Sequence, residues 1–355
     1  MASLVYIINV YLVKYLPLLE GFIAAYMIIV FFSLIITLLV LSPKNSAEVV
    51  FQSFEPIVGG TNGVMAVLSS QVLLFFSLLG SDSVVSIPGK AYKRQIANDS
   101  KIHMAEECTN AGSVVPRAMV GAYSIMGMGS FITLCVYCAC FVDYSVLEAP
   151  YPFLQVFVTS TGSVNGALAL VSIMIICIFL SVLNFMAACS RQIFAFARDD
   201  GFPFRHWIAK VNRKSGSPQN ALMVVYLFVI IITLIVLGSS VAFQAIISLG
   251  VLALAFTYEL SILCLVWRRL RGAPLPPYAW SLGRAGLPIN IAGSVYGFYL
   301  MFFAVIPPAY PVTAANFNWS PVMFVAVMGF AAVYYVLFAR KVYQGPVVVC
   351  QPVYT

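Results

Sequence analysis

What most constrains this chain is the recurrence of long apolar runs that carry almost no charge. Eight are long enough to cross ~30 Å of hydrocarbon, which takes about twenty helical residues each. They are Gly21–Ser42, Gly63–Val84, Met119–Phe141, Gly166–Ala188, Ala221–Gly238, Ala242–Trp267, Ile289–Ile306 and Pro321–Phe338. In lipid, backbone polar groups must pair within the segment, so such runs fold as helices. The expected fold class is an all-α polytopic membrane protein with about eight transmembrane helices, residues 1–355 forming a single transmembrane domain. Composition agrees: 62% of the chain is hydrophobic and 9% charged, far from the balance of a soluble domain. Met1 to Val13 lacks a basic leading region and a small-residue cleavage site, so it does not read as a signal peptide.

The net charge of +7 would suggest nucleic acid if the basic residues were clustered without order. Instead they alternate between connections. Five follow the second run (Lys90, Lys93, Arg94, Lys101, Arg117), and six follow the fourth, from Arg191 to Lys214. Arg268, Arg269, Arg271 and Arg284 follow the sixth, and Arg340 and Lys341 the eighth. Connections after the third, fifth and seventh runs hold none, and that after the first holds only Lys44. By the positive-inside rule, both termini are expected in the cytoplasm. The expected setting is a multi-pass protein of the plasma membrane, with the lipid bilayer as partner and no nucleic acid, because the loops lack the interleaved aromatics that stack bases.

Cysteine and histidine chemistry is thin. Cys135, Cys138 and Cys140 give a C-x-x-C pair inside an uncharged run with no histidine nearby, which reads as small packing residues rather than a metal site. Only His103 and His206 exist. No metal, cofactor or catalytic set is implied, and the chain is not expected to be an enzyme. Asn318-Trp319-Ser320 is a formal glycosylation sequon, expected to be unused because it lies so close to Pro321.

The most informative text runs from Phe75 to Glu107. An apolar run reaches Gly80-Ser81-Asp82, where helix propensity drops and a buried charge needs a partner. Freed backbone groups at such a break are suited to hold a small polar ligand. A second informative stretch is Ser190 to Pro203, where an apolar helix continues past the membrane and ends in Arg198-Asp199-Asp200-Gly201, as helix-stop chemistry expects.

These residues resemble fungal permeases of the amino-acid–polyamine–organocation superfamily, in the branch with GABA-permease-like and choline-transporter-like members. The matching landmarks are Leu16-Pro17-x-x-Glu20-Gly21, Gly80-x-Asp82-Ser83 joined to His103-Met104-Ala105-Glu106-Glu107, and Asn110 through Pro116-Arg117. Others are Ser190-Arg191-Gln192, Phe196-Ala197-Arg198-Asp199-x-Gly201-x-Pro203, Asn220-Ala221, Pro307-Pro308-x-x-Pro311 and Gly345-Pro346. The resemblance implies helices 5–12 of a twelve-helix transporter whose first ten helices form two inverted repeats. The chain's second run then corresponds to the sixth family helix, one of the two broken helices that hold substrate. The other broken helix has no counterpart in this sequence.

By that resemblance, Gly80, Ser81 and Asp82 form the unwound substrate segment, with Phe76 as an aromatic wall. Asp82 either attracts an amine or takes part in proton coupling; equally, it is an interfacial acid paired with a nearby lysine. Asn184 is a further candidate, against the reading that polar side chains inside bundles join helices. Glu259, mid-run beside Tyr258, is either a protonated, hydrogen-bonded acid or a liability. The substrate implied is a small amino acid, GABA, choline or a similar amine, carried by a proton-coupled secondary mechanism. The alternative is a non-transporting membrane remnant or interaction scaffold.

Residues 85–101 form a polar cytoplasmic insertion. Its lysines and arginine would cost ~2.5–3.5 kcal/mol each at the bilayer centre, and Pro88-Gly89 ends the helix before them. Removing Val85–Lys101 restores the family's spacing. Val85-Ser86 is encodable from GTAAG, Ala97-Asn98 from a sequence containing CTAAC, and Lys101 as AAG. The insertion therefore reads as a translated intron.

Overall fold

The computed structural model describes residues 1–12, 15–52, 63–78, 111–141, 146, 149, 151–212, 216–272, 280–307, 311–314 and 316–343. Among them, regular structure is helical throughout. The helices are α1 (Ala2–Tyr11), α2 (Leu16–Leu41), α3 (Ala47–Gln52), α4 (Gly63–Ser77), α5 (Ala111–Cys140) and α6 (Pro152–Thr161). They continue as α7 (Val164–Arg198), α8 (Arg205–Ile208), α9 (Gln219–Gly238), α10 (Ser240–Leu270), α11 (Gly286–Ala304) and α12 (Ser320–Leu337). Seven of these, α2, α5, α7 and α9 to α12, are long and apolar enough to span a bilayer. The eighth expected span is described only as α4, and its continuation through Gly80–Val84 lies outside the described residues. The insertion at 85–101 lies outside them too.

Helix ends follow local chemistry. Ser239 caps α10 by accepting from the Ala242 N–H at 3.2 Å, which lets α9 and α10 follow one another with a single-residue link. α6 begins on Pro152 and closes on Gly162 in the left-handed region (φ 59°), a combination suited to a short helix in a connection. α5 starts at Ala111, earlier than the expected Met119, because Pro116 is carried inside its second turn rather than marking its start.

The described residues divide into two units: 1–54, 121–194 and 207–227 in one, 55–120, 195–206 and 228–355 in the other. The first centres on Leu38, Val136, Cys140, Val156, Phe157, Ala167 and Leu170. Its helix ends are tied by small polar groups. Ser42 Oγ donates to Ser160 Oγ. The Asn45 side chain donates to the Cys138 and Phe141 carbonyls while its backbone N–H reaches Ala139, so one residue caps the end of α5. Of the three cysteines read as small packing residues, Cys140 is buried in this cluster, Cys135 is half-buried and Cys138 is exposed. In the second unit α10 packs on α11 and α12, and α11 packs on α4, where the Tyr299 hydroxyl donates to the Leu68 carbonyl at 2.6 Å.

The sequon has a structural use. Asn318 Nδ2 donates to the carbonyls of Ala304 (2.7 Å) and Ile306 (3.3 Å) at the end of α11. Its Oδ1 accepts from the Ser320 N–H (3.1 Å) and hydroxyl (2.7 Å) at the start of α12. One side chain thus closes one helix and opens the next.

Candidate functional site

Of the five residues assigned to substrate, Gly80, Ser81 and Asp82 lie outside the described residues. Phe76 belongs to α4 by its backbone, but its side chain also lies outside them. Asn184 is on α7, in the middle of its apolar stretch, and its Oδ1 is buried without a hydrogen-bond partner among the described residues. The preceding residue's carbonyl, Leu183, accepts from Asn9 Nδ2 at 3.2 Å, and Asn9 is itself 3% exposed. Asn9 thus ties α1 to α7, the structural role expected of a polar side chain in a bundle. Asn184 Oδ1 makes no hydrogen bond among the described residues and is free to accept one.

Seven residues after Arg191, α7 ends at Arg198. At 35 residues it is about 52 Å long, well beyond the hydrocarbon thickness. The Gly201 N–H bonds to the Phe196 carbonyl (3.0 Å) and the Asp200 N–H to that of Ala197 (3.2 Å), the crossed pair of a Schellman ending. The left-handed residue is Asp200 (φ 65°), not Gly201. Gly201 is required for a different reason: a Cβ there would lie 2.5 Å from the Phe196 ring. That ring is held edge-on to Phe202 and against Tyr343 beyond α12. Asp199 pairs with Arg198 at 3.3 Å and Asp200 with Arg205 at 3.2 Å.

Glu259 is a further polar group inside a span, as is Asn290 of α11, whose Nδ2 is likewise buried without a partner among the described residues. Glu259 is 2% exposed in α10, accepts from the Ser294 hydroxyl of α11, and its Oε2 has no partner among the described residues. A Cβ on Gly297 would collide with that oxygen, so the carboxyl occupies space that only glycine leaves. Gly293 and Gly297 form a G-x-x-x-G pair on α11, and Gly293 faces Ile262, one turn from Glu259. Small residues at this spacing let two membrane helices approach closely. Of the two readings left open for this acid, hydrogen-bonded or a liability, the structure gives a hydrogen bond at Oε1 and none among the described residues at Oε2. Sequence alone pointed to Glu259 but not to Ser294; the G-x-x-x-G spacing would have been the signal for α11.

Polar and ionisable side chains inside long apolar helices are rare and commonly mark functional positions in membrane proteins. A profile of the family described as amino acid permease matches residues 2–328, and the chain belongs to that family. An uncharacterized amino-acid permease of Schizosaccharomyces pombe is 32% identical over 254 residues, 70% of this chain and 46% of that protein. A thiamine transporter of the same organism is 28% identical over 245 residues, 67% of this chain and 41% of its own length. The choline transporter of Saccharomyces cerevisiae is 27% identical over 340 residues, 94% of this chain and 56% of that protein. The chain spans about half the length of the curated relatives it matches. With its apolar helices, the family makes it an integral multi-pass membrane protein.

Proposed function

We propose that this chain forms the substrate-handling part of a secondary permease for a small amino acid or amine. The observation that carries the reading is the family match across residues 2–328, reinforced by relatives named for choline and thiamine transport. In this reading Gly80, Ser81 and Asp82 supply the unwound segment, Phe76 walls it, and the spare Asn184 acceptor offers a hydrogen bond to an ammonium or amide donor. Transport is proton-coupled, in the plasma membrane, with both termini cytoplasmic. The insertion 85–101 is a translated intron, which transcript sequencing across Val85 tests directly; a transcript population that always retains these codons refutes it.

The test of function is uptake of labelled choline, GABA and amino acids in a permease-deficient host. It compares the 355-residue chain alone with the chain joined to the N-terminal half of the Saccharomyces cerevisiae choline transporter, with surface expression matched. Saturable uptake that Asp82→Asn abolishes supports the reading. Correct surface expression without uptake of any substrate by either form favours a membrane scaffold instead. Orientation is tested by single cysteines in a cysteine-free background. Membrane-impermeant reagents should label residues 143–165 from outside and 198–218 only after permeabilisation; equal labelling from one side overturns the topology.

A further inference from the structure

We propose that Glu259 is a proton-binding site inside the α10–α11 helix pair, formed with the Ser294 hydroxyl and the space over Gly297. Nine residues, about 14 Å of helix, separate Glu259 from Arg268, which places the carboxyl deep in the span. A carboxylate at that depth needs a cation or several donors. Here it has one neutral donor, Ser294, on Oε1. No basic side chain pairs with it among the described residues. The remaining oxygen, Oε2, faces the backbone at Gly297 and has no partner. That is the arrangement of a neutral carboxyl: Oε1 acts as the carbonyl and accepts from Ser294, and Oε2 carries the proton.

Among the described residues, the helices packed on α10 and α11 supply nothing that would replace the proton. α4 has no charged or titratable side chain, and α12 has only Tyr334 and Tyr335. α11 has Tyr296 and Tyr299, and the Tyr299 hydroxyl is committed to Leu68. On α10 itself stand Tyr258, Cys264 and, at the arginine-bearing end, Arg268 and Arg269. Glu259 is thus the one acid of these four helices. Its bound proton allows the close approach set by Gly293 and Gly297, and losing it puts an unscreened charge between α10 and α11.

The inference does not depend on which substrate is carried, and its test reads no transport. The full chain in detergent is treated with dicyclohexylcarbodiimide, which adds to protonated carboxyl groups in apolar surroundings, and the adduct at Glu259 is measured by peptide mass across pH 5 to 10. Labelling should be present at low pH and fall by about tenfold per pH unit above the site's titration. The melting temperature should fall over the same range in the wild type and stay flat in Glu259→Gln, which keeps the acceptor for Ser294. Ser294→Ala removes the one donor seen on the carboxyl, so its labelling profile should differ from that of the wild type. A purely packing role for the pair would lower the melting temperature of Ser294→Ala without moving that profile. No adduct in the folded wild type, or identical pH profiles of stability for wild type and Glu259→Gln, overturns the proposal.

Discussion

Asn318, in the junction between α11 and α12, and Asn184, in the middle of α7, are the same side chain in opposite circumstances. At the junction every strong hydrogen-bonding position of the amide is used: Nδ2 serves two carbonyls left over by one helix, and Oδ1 serves the amide and hydroxyl that start the next. In α7 the backbone is already paired, and Asn184 Oδ1 is buried with no donor among the described residues. Helix ends create unpaired groups and so give a polar side chain structural work. Helix middles create none. A polar atom unpaired there is free for a ligand or a proton, and Glu259 Oε2, like Asn184 Oδ1, has no hydrogen-bond partner among the described residues.

The comparison is easiest to break at the junction, where the largest effect is expected. Asn318→Ala removes bonds at two helix ends and leaves the Ala304 carbonyl and the Ser320 N–H without their partner. It should destabilise the protein by about 2–3 kcal/mol, read as a lowered melting temperature in detergent. Asn318→Asp separates the two halves of the cap, because it retains the acceptor for Ser320 and loses both donations to α11. A melting temperature for Asn318→Ala within error of wild type would show that the junction does not rely on this amide.

A smaller effect is expected at the end of α7, where the constraint is space and not bonding. Gly201→Ala places a methyl against the Phe196 ring, which cannot swing freely because Phe202 and Tyr343 hold it. Overpacking of this kind costs about 1–3 kcal/mol. Phe196→Leu in the same chain should recover part of the loss, since a shorter side chain leaves room for the methyl. Failure of that rescue would mean that Gly201 is needed for its backbone and not for the ring.

How much of this was legible in the sequence differs between the same two kinds of region. The membrane helices were readable because lipid allows only one way to satisfy the backbone, so α7 and α9 to α12 begin and end close to the apolar runs, apart from the extension of α7 to Arg198, itself legible as an apolar continuation ended by charges and Gly201. The connections were less so. α6 was missed although Pro152 and Gly162 mark its two ends, because its apolar residues read as loop between longer runs. Asn318 was seen as a sequon, and its capping role needed the carbonyls of α11, which lie 12 and 14 residues away. The helix stop after Arg198 was legible in place, whereas the left-handed position taken by Asp200 rather than Gly201 was not. Asn184 and Glu259 were legible as polar residues in apolar runs. That each keeps one atom unpaired is a property of the packed structure, and no spacing in the sequence could show it.

The smallest expected change in stability is at Asn184, and it is the sharpest test of the comparison. Asn184→Leu replaces a half-buried amide, whose oxygen has no partner among the described residues, with an apolar group of similar size. Removing an unsatisfied acceptor in this way is close to neutral or slightly stabilising, because nothing is left behind unpaired. The melting temperature should therefore stay within the equivalent of about 0.5 kcal/mol of wild type. If the spare acceptor is there for a substrate, uptake by the chimeric permease should nevertheless fall by roughly tenfold, the value of one charge-assisted hydrogen bond. Asn184→Asp adds a charge at the same point and should favour a cationic substrate over a zwitterion. A loss of stability matching that of Asn318→Ala would place Asn184 with the structural asparagines, whereas unchanged stability with unchanged uptake would mean that its unspent oxygen serves neither fold nor substrate.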